Sequence, residues 1–172
     1  MSALRFISET TATSTSSLSV TDVFTSDFSV YKVELIRPDL NTGTGTYVDF
    51  RFVTSDGIVV STDYGYGIEV MNSNAGFGSD FNANESYMRG FRYSSNSSAD
   101  GGGMVIWVFE PTNTSTYTFA RVQAGSYSTA ESKNVSTKGI GVLQNTESIG
   151  GINFFHTNNF DSIHVKVYGL RQ

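Results

Sequence analysis

Ser162-Ile163-His164-Val165-Lys166-Val167-Tyr168 is the run that decides the fold class. Ile163, Val165 and Val167 fall on one side of an extended chain and Ser162, His164, Lys166 and Tyr168 on the other, the period of two that marks a half-buried strand. Asn158-Asn159-Phe160-Asp161 leads into this run and Gly169-Leu170 closes it, so the spacing predicts a terminus locked into a sheet.

The same alternation recurs upstream. In Val30 to Ile36, Tyr31, Val33 and Leu35 oppose Lys32 and Glu34, and Pro38 is expected to end the strand because proline cannot donate to a ladder. Tyr47 to Thr54 places Val48, Phe50 and Phe52 on one face, and Ser55-Asp56-Gly57 signals a hairpin into Ile58 to Thr62. Further strands are predicted at Leu4 to Ser8, Ser17 to Val23, Tyr87 to Tyr93, Thr116 to Ala124, Gly139 to Leu143 and Gly151 to His156. Met104 to Phe109 is apolar at six consecutive positions, which calls for cover on both faces from a second layer or a neighbouring subunit. No apolar period of 3.6 lasts three turns. The pattern predicts an all-β chain, a two-sheet antiparallel β-sandwich of jelly-roll type with about ten strands. It forms one domain over residues 1–172, with a long loop-rich insertion around residues 63–100.

Composition narrows the function. A chain of 172 residues buries enough surface for a core without staples, and none are available, because cysteine is absent. The net charge of -5, with eleven Lys and Arg scattered singly, sets nucleic acid aside as a partner. No apolar run approaches the length that crosses a bilayer, and polar Ser8 to Ser17 follows Phe6-Ile7 where a secretory segment would continue. Neither membrane insertion nor a signal peptide is expected.

Catalytic material is sparse. His164 lies on the polar face of the last strand, and His156 opens a turn near Asp161, where a hydrolase would need a triad geometry that sequence cannot supply. Asp80-Phe81-Asn82-Ala83-Asn84-Glu85 alternates oxygen ligands like a calcium loop but carries Glu where the EF-hand needs Gly, so a polar turn is expected and no metal ion or cofactor is called for. The Asn-x-Ser/Thr triplets at Asn84, Asn96, Asn113 and Asn134 are what chance supplies in so Ser- and Thr-rich a chain. Tyr64, Tyr66, Phe77, Phe81 and Tyr87 stand among Gly, Asn, Ser and Asp, a mixture that supplies rigid contact area beside adaptable hydrogen bonds. These five are the candidate ligand or partner contacts, and the simpler account is that they pin the loop to the sandwich.

The opening Leu4-Arg5-Phe6-Ile7-Ser8, the segment Phe28-Ser29-Val30-Tyr31-Lys32-Val33, Val105 to Phe109 before Glu110-Pro111-Thr112, and Ile149 to Phe154 before Asn158 to Ile163 and Tyr168-Gly169-Leu170 together resemble small β-sandwich virion proteins of marine and environmental tailed bacteriophages. That resemblance implies a non-enzymatic virion surface protein made in the host cytoplasm, a capsid decoration, fibre or tail component. Its implied partners are further copies of itself, as a homotrimer, and other virion proteins, with a role in host attachment. The absence of a coiled coil or shaft repeat before the first strand favours docking through sheets or loops over a fibre tip. The alternatives are a carbohydrate-binding module or receptor-binding tail-fibre domain recognising host glycans through the loop aromatics, and a hydrolase using His156 with Asp161.

Overall fold

The computed structural model describes residues 3–40, 46–93, 101–128 and 132–171. Among them lie ten strands and no helix: β1 (Ala3–Val20), β2 (Val30–Leu40), β3 (Thr46–Thr54), β4 (Tyr64–Asn72), β5 (Gly76–Glu85), β6 (Met88–Tyr93), β7 (Gly102–Phe109), β8 (Thr118–Ser128), β9 (Lys133–Leu143) and β10 (Ile149–Arg171). All pairings are antiparallel, in the order β5-β4-β9-β8-β7-β2-β10-β3-β6, with β1 beside β10. The all-β antiparallel sandwich expected from the alternation is the fold observed.

β10 converts one bonded array into two layers. Its first part, Ile149 to Phe155, pairs with β3, and its second part, Phe160 to Leu170, pairs with β2. β1 follows both parts, with register shifts between Phe6 and Ser8 and between Thr15 and Ser17. Beyond the bend the β3–β6 end folds back over the larger sheet, so that Met88 of β6 sits on Gly141 of β9. The interior between the layers holds Tyr31, Val33, Phe50, Phe52, Ile106, Val122, Leu143, Phe154 and the predicted face Ile163, Val165 and Val167, all buried. A smaller cluster of Tyr66, Ile68, Val70 and Val135 fills the space under the β4–β5 hairpin.

Several sequence expectations are corrected. The region around residues 63–100 is not mainly loop: β4, β5 and β6 occupy most of it, and Ser94 to Ser98 lies outside the described residues. β5 escapes pattern reading because it is an edge strand whose side chains, Glu85 and Asp80 apart, are exposed, so backbone pairing to β4 and not apolar burial holds it. The strands expected at Leu4 to Ser8 and Ser17 to Val23 are one strand, as are the last two, because bulges and a bend carry each chain from one layer to the other. Pro38 does not end β2; the register skips from Ile36 to Asp39, and a bulge accommodates the missing donor. The Ser55-Asp56-Gly57 turn forms, with Gly57 at a φ of 82°, but Ile58 to Thr62 contributes only a bridge between Val53 and Val59. Finally, within the chain β7 is covered on one face only: Met104, Ile106 and Val108 are buried, whereas Val105 and Trp107 are partly exposed and Phe109 is exposed.

Candidate functional site

The uncovered face of β7 belongs to a larger surface. Residues directly opposite in an antiparallel pair share a face, and the register carries one row across eight strands: Phe81, Gly67, Ile140, Arg121, Trp107, Lys32, Tyr168 and Phe6. The row runs along the outside of the larger sheet for about 34 Å at the usual strand spacing. Phe81 and Ile140 are 78% and 67% exposed, and none of the eight is buried. Lys32 lies 5.8 Å over the Tyr168 ring, and Phe6 meets that ring edge-on at 5.8 Å. A neighbouring row, Val142, Phe119, Phe109, Val30, Leu170 and Leu4, is wholly apolar and unburied. Such a contiguous exposed patch marks an interaction surface.

At the β5–β4–β9–β8 end the face deepens into a groove of about 370 Å³. Gly67 and Gly139 form its floor, Phe81 and Ile140 its apolar walls, and Arg121 and Lys138 its basic rim, with Glu69 and Asp80 alongside. An added Cβ on Gly67 would meet nothing within 4 Å, so the missing side chain there leaves open space. Lys32 is paired with Glu34 at 2.6 Å and Lys166 with Glu9 at 3.7 Å, whereas among the described residues no carboxylate lies within salt-bridge distance of Arg121 or Lys138. The groove therefore sets two cations that make no salt bridge among the described residues beside the exposed Phe81 ring, with Glu69 directly opposite Lys138 in the β4–β9 ladder.

The five sequence candidates divide between opposite sides of this hairpin. Phe77 and Phe81 point outward on β5, and Phe81 is part of the row. Tyr66 and Tyr87 point inward and stack at 6.2 Å. Tyr64 is fully buried: its hydroxyl accepts the Phe52 N–H at 2.8 Å and donates to the Val60 carbonyl at 3.2 Å, so it is a core residue and not a ligand contact. A single platform of all five does not exist, because successive residues of a strand face opposite ways. Trp107, Arg121, Lys138 and Ile140 were not singled out by sequence. Each occupies an outward position of a predicted or observed strand, a signal that becomes a row only when the register is known.

Behind the groove, on the other side of the hairpin, Arg89 of β6 ties the layers together. Its guanidinium lies 4.3 Å from the Tyr47 ring centroid and 5.3 Å from that of Tyr87, donates to the Tyr87 hydroxyl at 2.8 Å, and has Nε 3.4 Å from Asp80 and 3.9 Å from Asp49. Burial raises the Asp49 pKa to about 6, outweighing the attraction of Arg89 and the hydrogen bond from the Gly90 N–H. Burial disfavours the Arg89 charge, yet Asp49 and Tyr66 more than offset it and its pKa is raised. The Arg89 Nε is buried at ion-pair distance from both carboxylates without a hydrogen bond to either, and the ring contacts and the Tyr87 hydrogen bond hold the hairpin in place.

The remaining sequence candidates are structural in their surroundings. His156 is buried, its Nδ1 accepts the Asn158 N–H at 2.9 Å, its ring leans on Phe160, and burial lowers its pKa, which keeps it neutral. Its hydrogen-bond partner is thus backbone and not Asp161. His164 instead holds Glu9 of β1 at 2.6 Å. Asp80 to Glu85 is strand and not a turn, with Asn82 donating to Glu85 at 2.7 Å, and among the described residues no group of acidic or histidine side chains is placed to hold a metal ion.

No family model matches the chain, and no curated protein does. Solved structures that it is similar to include a family 7 alginate lyase, A1-II′, in complex with substrate, at 14% identity over 90% of this chain and 67% of that one, with a TM-score of 0.26. An alginate lyase from Alteromonas sp. 272 is 8% identical over 83% and 71%, with a TM-score of 0.27. SCLam, a non-specific endo-β-1,3(4)-glucanase of family GH16, is 8% identical over 90% and 63%, with a TM-score of 0.24. These structures are of carbohydrate-processing enzymes and none is a virion protein, which corrects the two expectations drawn from the phage resemblance, a virion surface role and the absence of enzymatic activity. At such TM-scores the likeness assigns this chain no activity of its own, and its function is argued from the site alone.

Proposed function

We propose that the outer face of the larger sheet binds a linear acidic polysaccharide laid across the strands. The observation that carries this reading is the cross-strand row with its groove. Phe81, Trp107, Tyr168 and Phe6 stand unburied in one row, and Arg121 and Lys138, in no salt bridge among the described residues, lie beside that row. A sugar ring buries one apolar face on an aromatic side chain while its hydroxyls stay in water, so a shallow, open face serves it better than a closed cavity. Cations on the rim that are held in no salt bridge then favour a chain bearing carboxylate or sulfate groups.

Affinity electrophoresis in gels containing polygalacturonate, dextran sulfate or neutral dextran tests this. The unmodified protein is expected to be retarded by the acidic polymers and much less by dextran, with retardation weakening as salt rises. Trp107→Ala and Arg121→Gln should each reduce the apparent affinity roughly tenfold, about the effect of losing one good contact. Retardation that survives in a Phe81→Ala/Trp107→Ala double variant, or that is absent with all three polymers, overturns the reading.

A further inference from the structure

We propose that β5 pairs edge to edge with β5 of a second copy of this chain, antiparallel, about a two-fold axis at Ser79. β5 is the last strand of the larger sheet: β4 occupies one of its edges, and among the described residues no backbone hydrogen bond reaches the other. Exposed edges are normally blunted by lysine, proline, bulges or shortness, since an open ladder of N–H and C=O groups invites another strand. β5 is ten residues long, contains neither Lys nor Pro, and keeps regular pairing to β4 from Gly76 to Asn82.

The sequence of this edge is complementary to itself in one register. With Ser79 opposite Ser79 of the second copy, Phe77 stands opposite Phe81, Gly78 opposite Asp80 and Gly76 opposite Asn82. Phe77 and Phe81, 81% and 78% exposed in the single chain, then form two aromatic cross-strand pairs on the outer face. On the inner face each Asp80, already held by Arg89 at 3.4 Å, meets a glycine. Moving the axis one residue to Asp80 would set the two Asp80 carboxylates against each other and lose the aromatic pairing, so charge and apolar contact select the same alignment. The contact uses the same patch on both copies and closes as a dimer, not as the homotrimer that the phage resemblance implies. It also places the two outer faces on one continuous sheet, with the Phe81 ends of both rows meeting at the join.

Because the chain has no cysteine, Ser79→Cys supplies a single reporter at the axis. Directly opposed strand residues lie within reach of a disulfide. Oxidation is expected to give a covalent dimer of Ser79→Cys, and an Ile140→Cys control, far from the edge, much less of it. Sedimentation at tens of micromolar should find the unmodified protein dimeric and Ser79→Lys monomeric, with like charges opposed at the axis. Ser79 is exposed, so the lysine variant should keep the folded circular dichroism spectrum of the unmodified chain and lose only the concentration-dependent part of its melting temperature. A monomer or trimer for the unmodified protein, or cross-linking no better at Ser79→Cys than at Ile140→Cys, overturns the proposal.

Discussion

Arg89 on β6 and Asp80 on β5 stand 3.4 Å apart, and this one pair joins the two ends of the bonded order, β5 at one edge and β6 at the other. Arg89→Met keeps the apolar stem over Tyr47 and removes the charge, leaving the largely buried Asp49 carboxylate without its cation. The expected loss is about 3 kcal/mol in a urea titration, at the low end for breaking a buried pair because Asp80 is partly exposed. Arg89→Lys should recover only part of it, since an ammonium cannot span Tyr87, Asp80 and Asp49 at once.

Asp49 gives stability a pH dependence of definite sign. Its pKa is raised to about 6 in the folded chain from an ordinary value of 3.8, so the folded state binds the proton more tightly. The stability this confers is present in full below pH 3.8 and is lost as pH rises through about 6. Asp49→Asn keeps an acceptor for the Gly90 N–H and should flatten that part of the curve. Melting temperatures of the variant and the parent compared at pH 4.5 and pH 7.5 check it: the variant should gain relative to the parent at the higher pH.

Two glycines of the groove floor should respond in opposite ways. Gly67 has open space where a Cβ would go, so Gly67→Leu is expected to fold normally, fill the groove and weaken acidic polysaccharide binding at least tenfold. At Gly139 a Cβ would lie 2.4 Å from the Gly67 carbonyl oxygen and 2.8 Å from the Ile68 Cα, which backbone cannot yield cheaply. Gly139→Ala should therefore cost about 2 to 3 kcal/mol of stability in the same urea assay.

Tyr64→Phe separates core from contact. It removes the acceptor of the buried Phe52 N–H, and an unpaired buried donor costs about 1 to 3 kcal/mol. Polysaccharide retardation of the folded variant should equal that of the parent, while Trp107→Ala should show the converse, weak retardation with near-normal melting.

Legibility in the sequence followed burial. Val33, Phe50, Ile106 and Val165 announced their strands because one face of each is in the core, and alternation is the imprint of that core. β5 left no such imprint, since its backbone is paired while its side chains are mostly in water. The site residues split on the same ground. Phe81 was noticed as an aromatic among polar neighbours, although grouped there with Tyr64, which points the other way. Arg121 and Lys138 were two of eleven singly scattered basic residues until the pairing of β8 with β9 set Arg121 opposite Ile140, two residues from Lys138 on β9.

What the amino-acid sequence determined by itself was local: the class of fold, the faces of most strands and the turn at Gly57, because side-chain period, β-branching and glycine's backbone freedom act within a few residues. Which strands became neighbours was decided only in the tertiary structure. Phe6 and Phe81 are separated by most of a sheet and by 75 positions, and they share a row because β10 bends between layers and fixes the register of everything bonded to it. Cross-strand registry is a property of pairs of segments far apart in the chain, set by the packing of the whole core, and it makes one surface out of residues that carry no joint signal in sequence.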